Sequence, residues 1–137
     1  MKVSVQREDF DAGAEIRALS RDPKVGAVAS FIGVVREVGM TLEHYPGMTE
    51  KALQKIVAEA AGRWKALDCT VIHRTGELKP TDQIVLVAVA SAHRGDAFAA
   101  CEFIMDYLKT QAPFWKKEAA GWVEARASDD KAAERWK

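Results

Sequence analysis

A continuous apolar run that passes directly into a helical pattern constrains the fold of this chain more than any other feature. The run Ile84–Ala90 consists of Ile, Val, Leu and Ala, and its length and Val content are typical of a buried strand. From Ala97 the apolar residues recur at helical spacing as far as Leu108. Pro113 cannot continue that helix, so Phe114 belongs to the next element. The sequence therefore predicts a buried strand, a sharp turn and a long helix in succession.

Basic residues lie at both ends of this strand and helix unit. His93 and Arg94 fall where the strand should give way to the helix, and helix starts bind anions through their free backbone N–H groups. Lys109 follows Met105 by one helical turn, so the two side chains share one side of the helix. Lys116 lies just beyond the proline. This distribution indicates an anion-binding pocket.

The charge balance argues against one broad class of partner. Lys plus Arg and Asp plus Glu both number 20, so the formal net charge of the 137 residues is zero. A protein that binds nucleic acid through phosphate contacts is usually basic, and the sequence has no basic stripe with interleaved aromatic residues. We therefore expect no nucleic-acid partner, and any affinity for anions must come from local clusters.

Length and hydropathy predict one cytoplasmic domain. Residues 1–137 are enough for one hydrophobic core and are expected to form a single domain. No apolar stretch is long enough to span a membrane, and the N-terminal residues lack the apolar core of a signal peptide. Cys69 and Cys101 form no CxxC pair, and His44 and His73 have no partner at metal-ligand spacing. We expect buried cysteines, structural or hydrogen-bonding histidines, no metal site and no cofactor.

The rest of the chain mixes helical and strand patterns without strict alternation. The predicted elements are a strand around Val3 and Val5, a helix capped by Asp11, a strand within Gly26–Arg36 with a bulge or a close backbone approach at Gly33, a strand at Thr41–Tyr45, an amphipathic helix from Thr49 that ends by Asp68, a strand at Cys69–His73, a turn segment at Gly76–Asp82, and a hairpin around Gly121. These patterns predict an α+β fold with a mixed or antiparallel sheet and about three helices.

Five strings of residues, in one order over nearly the whole chain, resemble a known family. They are LEHYPGM at Leu42–Met48, VIHRTGEL at Val71–Leu78, SAHR at Ser91–Arg94, FIMDYLKTQAPFWKKE at Phe103–Glu118 and WVEAR at Trp122–Arg126. In these strings the chain resembles the large, catalytic subunit of molybdopterin synthase. Because the likeness extends over the chain in one order, it is more specific than any single motif.

The resemblance implies an α/β-hammerhead fold and an enzyme of molybdenum cofactor biosynthesis. Such enzymes convert cyclic pyranopterin monophosphate to molybdopterin by installing two dithiolene sulfurs. The sulfur arrives as a thiocarboxylate on the C-terminal glycine of a small ubiquitin-like subunit, whose tail enters a pocket of the large subunit. Two large subunits form a central homodimer, with one small subunit at each end of the resulting heterotetramer.

The resemblance also implies which residues form the pocket. Lys109 and Lys116 match the family's principal lysines, and we expect Lys109 to be the acid/base residue and Lys116 the anchor for the carboxyl group. Arginine suits a phosphate because its planar fork can donate two parallel hydrogen bonds. The residues implied for substrate binding are Arg36, Met105 and Arg126, together with His93 and Arg94 from the second protomer.

One connection departs from the family's pattern and leaves an alternative function open. Only Glu37–Thr41 separate Arg36 from the following strand, several residues fewer than in the family. The alternative is a non-catalytic paralogue that binds the small subunit and has lost turnover with its shortened loop. Retention of both lysines and of the His-Arg pair weighs against it, since a scaffold has no need of a basic cluster.

Overall fold

Strands and helices follow one another without regular alternation. A computed structural model describes residues 1–118, 121–123 and 132–137. In chain order the elements are β1 (Lys2–Gln6), α1 (Ala12–Leu19), β2 (Ala27–Val34), β3 (Met40–His44), α2 (Met48–Trp64), β4 (Asp68–Arg74), β5 (Gly76–Leu78), β6 (Gln83–Ser91), α3 (Arg94–Gln111), β7 (Phe114–Glu118) and β8 (Gly121–Val123). The predicted α+β class, with mixed and antiparallel strand pairing, is confirmed.

β6 lies inside a four-stranded mixed sheet, the main sheet, whose strand order is β1-β4-β6-β2. β1 runs parallel to β4, whereas β6 is antiparallel to both β4 and β2. Val85, Val87 and Val89 pack in the core formed with α2 and α3, and Leu86 and Ala88 pack on the other face against α1. Coverage of both faces explains why this strand appears in the sequence as a continuous apolar run.

α3 doubles back along β6. The helix begins at Arg94, within the predicted junction of strand and helix, and the Ala97 N–H donates to the His93 carbonyl oxygen at 3.2 Å. Farther along the helix, Cys101 Sγ approaches the Val87 carbonyl oxygen at 3.7 Å. The C-terminal end of α3 therefore lies over the first residues of β6.

A second sheet is antiparallel and has the strand order β5-β3-β7-β8. Residues that lie directly opposite each other in such a pair project to the same face. Leu42 is opposite Lys116 and His44 is opposite Phe114, in the pairing of β3 with β7. Leu42 is buried in one cluster with Val35, the residue that follows β2. This cluster joins the second sheet to the end of β2.

Two local predictions differ from the structure, and a third is confirmed. Gly76–Leu78, predicted to be part of a turn segment, forms β5 because β3 offers it a hydrogen-bonding partner. The predicted pairing of the two last strands is present, but Gly121 is a residue of β8, paired with Glu118, and not the centre of the hairpin. The predicted bulge at Gly33 is confirmed, because the register of β2 with β6 shifts between Gly33 and Val34.

The C-terminal residues 132–137 pack against α2 and α3. The Trp136 ring meets Trp64 and Phe103 edge-on, at centroid distances of 5.4 and 5.8 Å. Its indole N–H donates to Asp106, and Arg63 donates to the Trp136 carbonyl oxygen at 3.2 Å. This end of the chain therefore stabilises the pairing of the two long helices.

Gly26 is a position where any side chain should be poorly tolerated. A Cβ added there would lie 2.2 Å from the Ala92 carbonyl oxygen, a backbone atom of the turn between β6 and α3. Gly26→Ala is expected to lower the free energy of unfolding, measured by urea titration, by about 1–3 kcal/mol. Gly62→Ala is the matched control, because its Cβ would meet no atom within 4 Å and alanine stabilises a helix interior by about 1 kcal/mol. Equal stability of Gly26→Ala and wild type would contradict this packing.

Candidate functional site

The two ends of α3 lie at opposite ends of the main sheet. Arg94 is the first residue of the helix, and Lys109 is in its last turn. At a rise of about 1.5 Å per residue, their Cα atoms are about 22 Å apart. The predicted site residues therefore divide into two groups, one at each end of the sheet.

Several elements end beside the last turn of α3. Gly33 of β2 and His73 of β4 both pair with Val85, near the start of β6. β2 leads from there into Arg36, and β7 begins directly after α3. We call this end of the main sheet the lysine end and define it by Arg36, His73, Lys109, Phe114 and Lys116.

A stacked pair of rings lies within the lysine end. The rings of His73 and Phe114 are 3.8 Å apart between centroids, at an interplanar angle of 20°. His73 is 5% exposed, and its Nδ1–H donates to the Arg74 carbonyl oxygen at 2.9 Å. Because a carbonyl oxygen only accepts hydrogen bonds, this contact keeps a proton on Nδ1. Burial lowers the pKa of His73 to about 4, electrostatic interactions with Lys109 and His44 act in the same direction, and the hydrogen bond to Arg74 opposes them.

Because His73 is neutral in the folded chain, acid should destabilise the fold through this residue. Its pKa is about 4 in the folded chain, against an ordinary value of 6.5 for an unfolded one. The unfolded chain therefore takes up this proton first, and the contribution to stability is full above pH 6.5 and is lost as the pH falls toward 4. The loss amounts to about 3 kcal/mol.

Urea titrations of wild type and of His73→Gln at about pH 7 and about pH 4.5 check this pH dependence. The carboxylates titrate in both proteins, so the difference between the two losses of stability isolates His73. We expect the larger loss in wild type. Parallel losses in the two proteins would contradict a buried neutral imidazole.

Lys116 and Arg36 approach the same region through β3. Lys116 lies opposite Leu42, on the face of β7 that carries the stacked phenyl ring. Leu42 packs with Val35, and Arg36 is the next residue along the chain. Lys116 is half-buried, whereas Arg36 and Lys109 are exposed. The topology therefore brings Arg36 and Lys116 to the same end of the sheet as Lys109.

His93 and Arg94 lie at the other end of the main sheet, and both are exposed. His93 is the N-cap of α3, but its side chain makes no capping hydrogen bond. Close to this helix start, Ser91 Oγ is buried and has no hydrogen-bond partner among the described residues. Within one chain the His-Arg pair does not reach the lysine end, so a shared site requires a second protomer.

Met105 lines a cleft between α3 and β2. Its side chain is 9% exposed, and the cleft is open to solvent with a volume of about 440 Å³. Phe31 of β2 and Phe98 and Cys101 of α3 are among the other lining residues. The two predicted catalytic lysines do not line this cleft. Arg126, the remaining predicted site residue, lies outside the residues that the structure describes.

Neither thiol is suited to act as a nucleophile. Cys69 and Cys101 are both buried, as predicted. Burial raises the pKa of Cys69 to about 12 and that of Cys101 to about 11, so the reactive thiolate is scarce at neutral pH. In the described part of the chain, no group of three or more His, Cys, Asp or Glu side chains could hold a metal ion. None of the helices in that part is long and apolar enough to cross a membrane.

The sequence predicts only a structural or hydrogen-bonding role for His73 and does not connect this residue with the lysines. One signal was available, because His73 alternates along its strand with Cys69 and Val71 and so faces the same side as those two apolar residues. A histidine at a core-facing position near a strand end is unusual, and this position could have identified His73 as a candidate site residue. Its contact with Phe114, which is distant in sequence, leaves no local pattern.

Comparisons with known proteins identify the family. The family model described as MoaE protein matches residues 5–111. A curated relative from Ralstonia nicotianae is 62% identical over 146 aligned positions, which cover 98% of this chain and 83% of the relative. Another, from Vibrio cholerae, is 55% identical and covers 98% of this chain and 97% of the relative. Both relatives are named molybdopterin synthase catalytic subunit.

Solved structures share the fold. Molybdopterin cofactor biosynthesis protein E from Burkholderia multivorans has a TM-score of 0.89 at 61% identity, covering 98% of this chain and 95% of that one. Molybdopterin synthase from Staphylococcus aureus has a TM-score of 0.80 at 33% identity, covering 87% of this chain and 94% of that one. The similarity therefore extends to relatives of lower sequence identity.

The alignment with the Ralstonia relative has 146 positions against 137 residues in this chain, so the relative has internal residues that this chain lacks. That difference is consistent with the short connection in this chain, where β2 ends at Val34 and β3 begins at Met40. The family match covers most of the chain, and the relatives combine high identity with nearly complete coverage of it. The chain belongs to the MoaE protein family.

Proposed function

We propose that this chain is the catalytic subunit of a molybdopterin synthase and converts cyclic pyranopterin monophosphate to molybdopterin. The sulfur donor is the C-terminal thiocarboxylate of a small ubiquitin-like subunit. The observation that carries the proposal is the convergence of elements bearing Arg36, Lys109 and Lys116 at one end of the main sheet, in a member of the MoaE family.

The reaction requires positive charge because two anions must meet. The pterin carries a cyclic phosphate, and the incoming tail ends in a negatively charged thiocarboxylate. Their repulsion at 4 Å is about 1 kcal/mol in bulk water and about four times larger near a protein surface. Fixed cations around the reacting atoms offset that repulsion, and this is the task we assign to the lysine end.

The two lysines have different tasks in this scheme. Lys116, half-buried on β7, holds the carboxyl group of the tail by charge-assisted hydrogen bonds. Lys109, at the end of α3, shuttles protons as sulfur adds to the pterin and oxygen leaves. Sulfur brought by a partner also accounts for a chain whose two cysteines are buried.

The surface of β2 supports a homodimer. β2 is an edge strand of the main sheet, and Phe31, Ile32 and Val34 are all more than one-third exposed. Phe98, on the part of α3 that lines the cleft beside β2, is 66% exposed. Monomeric proteins usually protect such edges with charges or bulges. β2 has a bulge near its end but no charged side chain, so its apolar edge favours contact with another chain.

A two-fold dimer through β2 would complete the site. The start of β2 lies beside the start of α3, because Ala27 pairs with Ser91, whereas the end of β2 lies at the lysine end. Two copies of one strand that pair edge to edge about a two-fold axis perpendicular to the strand run antiparallel, so the start of one lies beside the end of the other. This arrangement carries His93 and Arg94 of one copy toward the lysine end of the other, where Arg94 can hold the pterin phosphate.

The assembly we propose is a heterotetramer in the cytoplasm, with a homodimer of this chain at its centre and one small subunit bound at each end. The pathway of the family supports the cytoplasmic location. Size-exclusion chromatography with light scattering checks the assembly, and a chain that stays monomeric with and without the small subunit would contradict it.

Reconstitution tests the proposed activity. The purified chain, the thiocarboxylated small subunit and cyclic pyranopterin monophosphate are combined, and the dithiolene product is measured. We expect product in proportion to the thiocarboxylate consumed, and none when the small subunit ends in an ordinary carboxylate. Tight binding of the small subunit without product would contradict catalysis and identify the chain as a binding module. The short connection after Arg36 would then explain the loss of turnover.

A further inference from the structure

Ala112 and Pro113 link α3 to β7, the two elements that carry Lys109 and Lys116. Two hydrogen bonds fix this link. Thr49 Oγ1 donates to the Pro113 carbonyl oxygen at 2.9 Å, so α2 holds the link. The Phe114 N–H donates to the Ala112 carbonyl oxygen at 2.9 Å, which closes a tight turn around the proline. Because the link is short, the position of Phe114 affects how β7, which carries Lys116, lies relative to the end of α3 that carries Lys109.

His73 holds Phe114 from the main sheet. It lies on β4, a strand that is paired on both edges, here with Val5 of β1 and Val85 of β6. The ring stack connects this rigid strand to the first residue of β7 in the second sheet. The hydrogen bond from Nδ1 to the Arg74 carbonyl oxygen fixes the plane of the imidazole, and with it the plane on which Phe114 rests.

We propose that His73 is a positioning residue of this site, which sets the separation and direction of Lys109 and Lys116 through its stack on Phe114. The proposal rests on the proposed function, because it assigns His73 to the lysine pair of the sulfur transfer. His73 acts through Phe114 and has no contact with substrate in this scheme.

The ring acts in its neutral form. Electrostatic interactions with Lys109 of α3 and His44 of β3 both disfavour a charged His73, and Glu50 of α2 lies 3.9 Å from His44. A protonated imidazole would repel Lys109 and disturb the geometry that the stack maintains. Since the pKa of His73 is lowered to about 4, the stack is unchanged through the neutral pH range.

Two substitutions separate the contribution of the His73 ring stack from that of the His73 hydrogen bond. His73→Gln keeps an N–H donor and removes the stack, whereas His73→Phe keeps a ring and removes the donor. In the reconstituted reaction with the full chain, kcat of His73→Gln is expected to fall about 10- to 100-fold with little change in KM. His73→Phe is expected to recover part of that loss, and a thermal unfolding scan shows whether each variant is folded.

Tyr45→Leu is the matched control. Tyr45 packs against Trp115, with ring centroids 4.1 Å apart and an interplanar angle of 55°, and Trp115 projects from the opposite face of β7 to Phe114. Tyr45→Leu therefore removes a ring contact with the same strand without touching the face that carries Lys116. Its kcat is expected to equal that of wild type. If Tyr45→Leu lost as much kcat as His73→Gln, the proposal would be overturned.

A second measurement needs no turnover. The free chain is labelled with a limiting amount of an amine-reactive anhydride, and mass spectrometry gives the ratio of modification at Lys109 and Lys116. His73→Gln is expected to change this ratio and Tyr45→Leu to leave it unchanged. An unchanged ratio in His73→Gln overturns the proposal whether or not the wild type is active. A changed ratio in a chain whose wild type makes no product supports the positioning role and refutes the proposed function.

Discussion

Replacing Lys109 with Ala is expected to lower kcat for dithiolene formation by about 100- to 10,000-fold, the range for loss of a general acid or base. The small subunit should still bind, because its surface contacts and the carboxyl anchor Lys116 remain. The substitution removes an exposed side chain, so the free energy of unfolding is expected to change by less than about 0.5 kcal/mol. Single-turnover product formation and a binding titration with the small subunit measure the two effects separately.

Lys117→Ala is the matched control for this loss of charge. Lys117 is exposed and adjacent to Lys116, but it projects from the opposite face of β7. The Lys117→Ala variant should therefore retain wild-type turnover. Turnover retained by Lys109→Ala, or lost equally by Lys117→Ala, would refute the assignment of Lys109 as the acid/base residue.

Mixing two inactive variants is expected to restore activity if the site is shared between protomers. Lys109→Ala and Arg94→Ala should each be inactive as homodimers. In a mixed dimer, one of the two sites receives Lys109 from one chain and Arg94 from the other, so it is intact. With random pairing this restores roughly a quarter of the wild-type rate. The measurement is product formation after co-expression of the two variants with different affinity tags.

Lys109→Ala mixed with Lys116→Ala is the control for complementation. Both residues come from the lysine end of one protomer, so no mixed dimer contains an intact site and no activity should return. Failure of the Lys109→Ala and Arg94→Ala mixture, with mixed dimers shown to form, would mean that His93 and Arg94 do not complete the site of the neighbouring copy.

The elements that local sequence determines were predictable. The apolar run before His93 indicated a buried strand, because β6 is covered on both faces. The helical spacing after this run and the stop at Pro113 predicted the length of α3. Asp11 caps α1 as predicted, because its side chain accepts a hydrogen bond from the Ala14 N–H at 3.0 Å. These features depend on neighbours within a few positions, and such patterns are visible in a sequence.

What the sequence could not supply was the pairing of distant elements. Lys116 lies opposite Leu42 because β7 pairs with β3, and Leu42 packs with Val35, the residue before Arg36. No periodicity encodes either contact. β5 formed where turn residues were expected, since a strand partner overrides weak local preference. The contact of His73 with Phe114 likewise depends on the meeting of two sheets.

The resemblance implied the lysines and the other site residues, and the strand pairing places the elements that carry them at two ends of the main sheet. Arg36, Lys109 and Lys116 belong to one end of a single chain, and His93 and Arg94 belong to the other. A site that uses all five therefore requires two copies, which is a physical reason for the proposed homodimer.

Zero-length coupling between the tail of the small subunit and this chain tests the central claim most directly. The small subunit with an ordinary C-terminal carboxylate is bound to the chain and treated with a carbodiimide, and the new amide bonds are mapped by mass spectrometry. If the lysine end receives the sulfur-bearing tail, the terminal glycine is joined to Lys109 or Lys116. Joining to exposed lysines elsewhere, such as Lys24 or Lys51, or no joining in a complex that has formed, would contradict it.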